Sequence, residues 1–482
     1  MYAWCRRKCY HHVKPFRIVL LILGGMNENK TMSIRSINPW NLEELERFTP
    51  HTPDRVEDVL KRSQLRFQQW RTLPIQERAE HLQRVGAVLK ANNRRCAEVI
   101  TLEMGKPIAE AVAEVEKCAW VCSYYAEQAE EQLKPRPIAT DGNKSFVRYD
   151  PLGVIYAIMP WNFPFWQVFR FAAPTLMAGN TAVLKHAPNV SRCALLIEEL
   201  FLEAGVPEDV FRTVLLDNQA ANDLIRHPII KGVSLTGSDR AGEAVAATAG
   251  KALKPSLLEL GGSNAVIVLA DADLKQAVDT GFKARFLNSG QSCIAGKRFL
   301  IAEGIYEDYV AAFLEKMKTL RFADPLGGDA NIGPLARVDL AEKLEEQVER
   351  SIAMGATCLM GGKRDGARYE PTALGNVGLD MPVFKEETFG PVVPFLKIKD
   401  LDEAIELSNR SSFGLGVSIL TGEPEAALDH AWRFDEGAVF INELVKSDPR
   451  LPFGGVKRSG YGRELSAEGI HAFVNAKTVY LK

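Results

Sequence analysis

The stretch "GVIYAIMPWNFPFWQVFR", Gly153–Arg170, runs from an unbroken apolar segment into a turn bracketed by Pro160 and Pro164. A short apolar run closed by turn residues reads as a buried strand. Similar β-rich runs follow in "TAVLKH" (Thr181–His186), "RTVLL" (Arg212–Leu216) and "GVSLTGS" (Gly232–Ser238), and "SRCALLIEELFLEAG" (Ser191–Gly205) reads as a helix between the second and third. Strand alternating with helix predicts a parallel sheet covered on both faces, hence an α/β fold. The two prolines fix the backbone around Trp161, Asn162 and Phe163. In a parallel sheet, ligands sit at such strand ends, and the Asn162 amide is suited to donate to an oxyanion. A purely structural turn is the equal alternative.

Upstream, Thr52 and Pro53 form an N-cap and first-turn pair, and Val56, Val59, Leu60, Phe67 and Trp70 recur at helical spacing. A second amphipathic helix runs through Leu82, Val85, Val88 and Leu89. Downstream of residue 293 the alternation resumes with "RFLIAE", a helix near Tyr306–Thr319, "ATCLMGG", "VVPFLKI", "GVSIL" and "AVFIN", which predicts a second α/β domain. The polar stretch "EQLKPRPIATDGNKSFVRYD" and the C-terminal "HAFVNAKTVYLK" stand apart from both. Lone strands need a partner, so these two pieces are expected to pair with each other or across subunits.

The 482 residues carry a net charge of -2, with 46% hydrophobic and 25% charged side chains. That balance suits a soluble protein of two or three domains and offers no basic field for nucleic acid or anionic lipid. No window reaches the roughly 18 apolar residues of a spanning helix. The 8 cysteines are sparse and form no secreted-type framework, so a reducing, cytoplasmic setting is expected. Residues 1–31 differ from the rest, being basic with a short apolar core at Ile18–Leu23. A secretory signal and a metal cluster of Cys5, Cys9, His11 and His12 are weighed against a disordered or mis-assigned leader, and the last explains the mismatch best.

Three further segments carry chemistry. In "FLNSGQSCIAGKR" (Phe286–Arg298), Cys293 stands among small polar residues and just before Lys297 and Arg298, so it is either buried filler or a catalyst lying exposed near positive charge, where a thiolate is useful. In "LLELGGSNAVIVL", Glu259 sits between leucines. Burying a carboxylate there requires a partner or raises its pKa toward that of a general base, the alternative being a cap on the glycine turn that follows. In "VSLTGSDRAG" a strand meets Gly237 and Ser238 at a helix start, which suits phosphate or is an ordinary turn. No Gly-x-Gly-x-x-Gly follows any expected strand.

Taken in order, "PWNFP", "VSLTGS", "LELGG", "NSGQSC", "EETFGPV" and "PFGGVKRSGYGRE" resemble the aldehyde dehydrogenase superfamily from about residue 33 onward. The resemblance implies two doubly wound Rossmann-like domains and a small β oligomerisation arm. Residues 33–134 and 153–260 would form the NAD(P)-binding domain, 261–441 the catalytic domain, and 135–152 with 467–482 the arm of a homodimer or homotetramer. It assigns Cys293 as nucleophile, Asn162 with the Cys293 backbone amide as oxyanion hole, and Glu259 as the base that hydrolyses the thioester. Trp161, Lys185, Thr236, Gly237, Ser238, Glu387 and Phe389 are matched to the cofactor. NAD-selective members typically carry Glu where this chain has Pro188, so NAD or NADP remains open.

Arg170 and Ser447 match positions that hold the distal carboxylate in succinate-semialdehyde dehydrogenases, a role that suits the arginine fork. A second arginine expected there is Leu287, with Lys446 or Arg450 as substitutes. The implied reaction is NAD(P)-dependent oxidation of succinate semialdehyde, or of a general aliphatic aldehyde if Arg170 is only a solvated or capping charge. A non-catalytic NAD-binding relative would be expected to lack Cys293, Glu259 or Asn162, and a CoA-acylating relative to lack the base.

Overall fold

The structure, a computed structural model, describes residues 33–482. The signal, metal-cluster and leader readings lie outside the described residues.

The strand Val154–Met159 and the helix Trp166–Met177 begin a six-stranded sheet. Its order is Gly460–Tyr461, Ser256–Glu259, Ile230–Thr236, Val154–Met159, Thr181–His186 and Phe211–Thr213, and only the short first strand runs antiparallel. The chain moves outward on one side of Val154–Met159 and then returns to the other. The carboxyl ends of Val154–Met159 and Ile230–Thr236 therefore face a topological switch point, the place where doubly wound sheets bind ligands. Trp161 and Asn162 follow the first of these strands directly, and Gly237 and Ser238 follow the second.

A seven-stranded sheet follows, in the order Thr357–Met360, Thr372–Gly375, Val392–Ile398, Gly296–Ala302, Asn264–Val268, Val417–Leu420 and Val439–Ile441. It is parallel except at its Thr357–Met360 edge. Both sheets are thus the doubly wound type expected. "RTVLL" yields only Phe211–Thr213, at a sheet edge where pairing ends early.

The upstream segment is helical. Thr52 Oγ1 accepts from the Arg55 N–H at 3.3 Å and caps Pro53–Trp70. The long helix Ile108–Gln132 buries Ile108, Ala111, Val115, Ala119 and Cys122, spaced at three or four residues, against Ile75–Ala91 and Trp166–Met177. Cys96, Cys118, Cys122 and Cys193 are all fully buried, as apolar filler should be. The strand Val474–Leu481 pairs with Lys144–Pro151 of the same chain from Val474 opposite Pro151 to Leu481 opposite Lys144. No helix among the described residues is long and apolar enough to cross a membrane.

Candidate active site

Cys293 is held by a loop of unusual backbone. After the helix Leu274–Phe286, residues Asn288, Ser289 and Gly290 adopt φ of 57°, 54° and 74°. A left-handed conformation costs a non-glycine residue about 1–2 kcal/mol, so the surroundings must over-determine it. Asn288 Nδ2 donates to the carbonyls of Asn162 at 2.8 Å and Gln291 at 3.0 Å. Gln291 Oε1 accepts from the Ala336 N–H at 2.9 Å, and Ser289 Oγ donates to the Gly333 carbonyl at 3.0 Å. Buried Arg285 donates to the carbonyls of Gly296, Gly290, Thr388 and Gly390. Gly290 admits no side chain, because a Cβ would stand 2.4 Å from the Gly390 oxygen.

The half-buried Cys293 forms a wall common to two cavities. The smaller, about 340 Å³, is lined by Cys293, Arg170, Ser447, Lys117, Leu287 and Phe453 among others. The larger, about 460 Å³, is lined by Trp161, Asn162, Lys185, Thr236, Gly237, Ser238, Glu387 and Phe389 as well as Cys293. Every residue matched to the cofactor therefore borders one cleft.

Nearby positive charge does not by itself make Cys293 a thiolate in the structure. Burial pushes the Cys293 thiol up to about 11, with only partial opposition from Arg170 and Lys297. Arg298 is buried and donates to the carbonyls of Ser263, Leu407 and Ser408, away from the sulfur. Lys297 Nζ donates to the carbonyls of Gly262 and Cys293 and to Glu387 Oε1 at 2.5 Å. Adjacency in sequence did not translate into free charge, because strand Gly296–Ala302 is wholly buried and its cations must find partners.

Asn162 is buried, and its Nδ2 donates to the Gln291 carbonyl at 3.1 Å. Behind it, Glu114 Oε1 accepts from the N–H groups of Phe165 at 2.8 Å and Trp166 at 2.9 Å, holding the start of the helix, while Lys106 lies 2.6 Å from Glu114 Oε2. Lys185 Nζ donates to Asn218 Oδ1 at 3.1 Å, and burial lowers its pKa. Ser238 Oγ caps the helix Asp239–Lys251. Phe389 meets Trp161 edge-on at 5.7 Å.

Glu259 ends its strand with 2% exposure, and neither carboxylate oxygen has a hydrogen-bond partner. Burial, then the charge of Glu464, hold its pKa well above the carboxylate range against Arg170 and Arg463. It does not cap the glycine turn; Glu387 Oε1 does so, accepting from the Gly262 N–H at 3.0 Å. Glu259 borders neither cavity and lies against Gly454, where a Cβ would stand 2.7 Å from its Oε1.

Arg170 is neither solvated nor a cap. It is 1% exposed, ion-pairs with the equally buried Glu464, reaches Thr236 Oγ1 at 3.4 Å and stacks on Phe453 at 4.6 Å. Lys446 and Arg450, the expected substitutes for a second arginine, pair with Glu443 and Asp448, both at 2.7 Å. Sequence reading missed Lys117, Glu464, Arg285 and Gln291 as parts of the site. Glu464 was within reach, at the end of a quoted motif, whereas nothing local marks Lys117 on an ordinary amphipathic helix.

The Aldehyde dehydrogenase family profile matches residues 26–479. The chain is 44% identical over 456 residues to succinate-semialdehyde dehydrogenase [NADP(+)] of Mycobacterium leprae, covering 93% of this chain and 100% of that protein. It is 45% identical to succinate semialdehyde dehydrogenase [NAD(P)+] Sad of Escherichia coli K12, covering 92% of this chain and 97% of the other. The solved structure of succinic semialdehyde dehydrogenase from Streptococcus pyogenes in complex with NADP+ superposes with a TM-score of 0.91 at 36% identity, covering 93% of this chain and 99% of that one. Like these relatives, and over nearly its whole length, the chain belongs to the aldehyde dehydrogenase family.

Proposed function

We propose that the protein oxidises succinate semialdehyde to succinate with NADP or NAD. The observation that carries this reading is the cavity at Cys293, whose wall bears Arg170, Lys117 and Ser447 together, an arrangement suited to an aldehyde with a distal carboxylate. The names of the relatives agree with it.

The larger cleft fits a dinucleotide phosphate. Its lining includes Lys185, Arg240, Arg337 and Lys343 against one carboxylate, Glu387, and it lies at the N-terminus of Asp239–Lys251. Pro188, also in this lining, brings no negative charge to the cleft, which favours NADP. Trp161, Lys185, Thr236, Gly237, Ser238, Glu387 and Phe389 would hold the cofactor, which when bound supplies a hydride acceptor.

In this mechanism Cys293 Sγ loses its proton to solvent water and bonds the aldehyde carbon. Asn162 and the Cys293 N–H donate to the resulting oxyanion, each such donor contributing about 3–4 kcal/mol. Loss of hydride from that carbon leaves a thioester on Cys293. Glu259 then takes a proton from water as the water oxygen attacks the thioester carbon, and that proton returns to Cys293 Sγ as the C–S bond breaks and the acid leaves. Because Glu259 stands back from both cavities, its side chain must turn toward the sulfur for this step.

The domain boundaries at 134, 153, 260 and 441, a cytoplasmic location, and oligomerisation through the arm of 135–152 and 467–482 belong to the same proposal. A general aliphatic aldehyde is the second reading, favoured by the commitment of Arg170 to Glu464 and by Leu287 in place of a second arginine. Initial rates at the reduced-nicotinamide absorbance band separate the two. Succinate semialdehyde is expected to exceed butanal strongly in kcat/KM, with NADP preferred over NAD; equal use of both aldehydes rejects the substrate.

A further inference from the structure

Three cations line the cavity at Cys293, and two have partners: Arg170 is paired with Glu464, and Lys446 with Glu443. Lys117 is different. Its ammonium donates to Ser447 Oγ at 2.8 Å and lies 4.3 Å over the Trp166 ring, and no carboxylate among the described residues forms an ion pair with it. The neighbouring acids are occupied, Glu114 by Lys106 at 2.6 Å and Asp448 by Arg450 at 2.7 Å.

A half-buried cation that faces a cavity without an anion is better satisfied when an anion arrives. An ammonium has three N–H donors, and one is spent on Ser447. The Ser447 hydroxyl accepts that bond and keeps its own hydrogen to give. Lys117 and Ser447 therefore present converging donors on the cavity that Cys293 also borders.

Resting on the proposed function, we infer that Lys117, with Ser447, contacts the distal carboxylate of the substrate from the same wall as Arg170, and that it is the member of that wall whose charge is free to do so. Lys117 thus sets the preference for an aldehyde acid over a neutral aldehyde. Its pKa adds a second readout. Burial, then Arg170, lower it to about 8, while Cys118, Asp448 and Glu114 face it and oppose the shift. A bound carboxylate would raise it again.

The test compares wild type with Lys117→Met and Lys117→Gln, checked for folding by thermal melting, on succinate semialdehyde and butanal. The preference ratio in kcat/KM is expected to fall roughly 10- to 100-fold, the range of a charged hydrogen bond. In wild type, KM for succinate semialdehyde should climb as pH passes about 8, a rise absent from butanal and from both variants. If wild type prefers succinate semialdehyde and the variants keep that preference, the Lys117 assignment is overturned while the substrate stands. If wild type shows no preference, the substrate reading falls and this inference with it.

Discussion

At the scale of single residues, Arg170 and Glu464 illustrate how a buried pair binds two roles together. Removing one partner of such a pair typically costs about 3–5 kcal/mol, because the other charge is left buried and alone. Arg170→Ala should therefore lower the unfolding midpoint in calorimetry more than the double variant Arg170→Ala/Glu464→Ala does. Glu259 invites a pH experiment. Its folded pKa is raised, so it favours folding while protonated, and that contribution is lost as pH rises through the raised value. In the proposed mechanism catalysis runs the other way, since only the ionised carboxylate can take a proton. Acid release should thus increase with pH in wild type, whereas Glu259→Gln should lose that limb, accumulate thioester in a burst experiment and no longer lose stability along the same rise. Glu259 was legible because leucines flank it. The neutral thiol of Cys293 was not, because the partners of Lys297 and Arg298 lie far away in sequence, at Gly262, Glu387 and Leu407.

At the scale of elements, the strands and helices were readable from apolar runs and their spacing, since these elements are buried on one face or two. "VVPFLKI" is the strand Val392–Ile398 without a residue's difference, and the helix expected near Tyr306–Thr319 spans Tyr306–Met317. The loop before Cys293 was legible only as small and polar residues. Its three left-handed residues depend on Arg285, Gly333 and Ala336, which no local pattern ties to it. Gly290→Ala combines a strained left-handed φ with a contact against the Gly390 carbonyl. It should reduce kcat by more than tenfold, a typical penalty for misplacing a reacting group by about 1 Å, while far-ultraviolet circular dichroism stays that of wild type.

At the scale of the whole molecule, alternation of strand and helix was enough to give the fold class, yet it could not say which strands neighbour each other. The antiparallel Gly460–Tyr461, set against Glu259 and Leu258, is too short to leave a sequence pattern. The arm presents a different expectation. Val474–Leu481 covers one side of Lys144–Pro151 and is itself an edge strand, with Tyr480 and Leu481 about half exposed. Removing residues 474–482 should change the mass measured by light scattering if that edge joins subunits, and leave it unaltered if the arm serves one chain alone. The pairing of Phe453 with Glu464 by two mutual backbone hydrogen bonds of 2.7 Å has a consequence for biosynthesis. Cys293, Asn162 and the residues lining the larger cleft are all translated well before this clasp. A nascent chain can thus complete its seven-stranded sheet, and all but the Gly460–Tyr461 strand of the six-stranded one, and still lack the floor beneath Glu259 and Arg170 until residues 453–464 have left the ribosome.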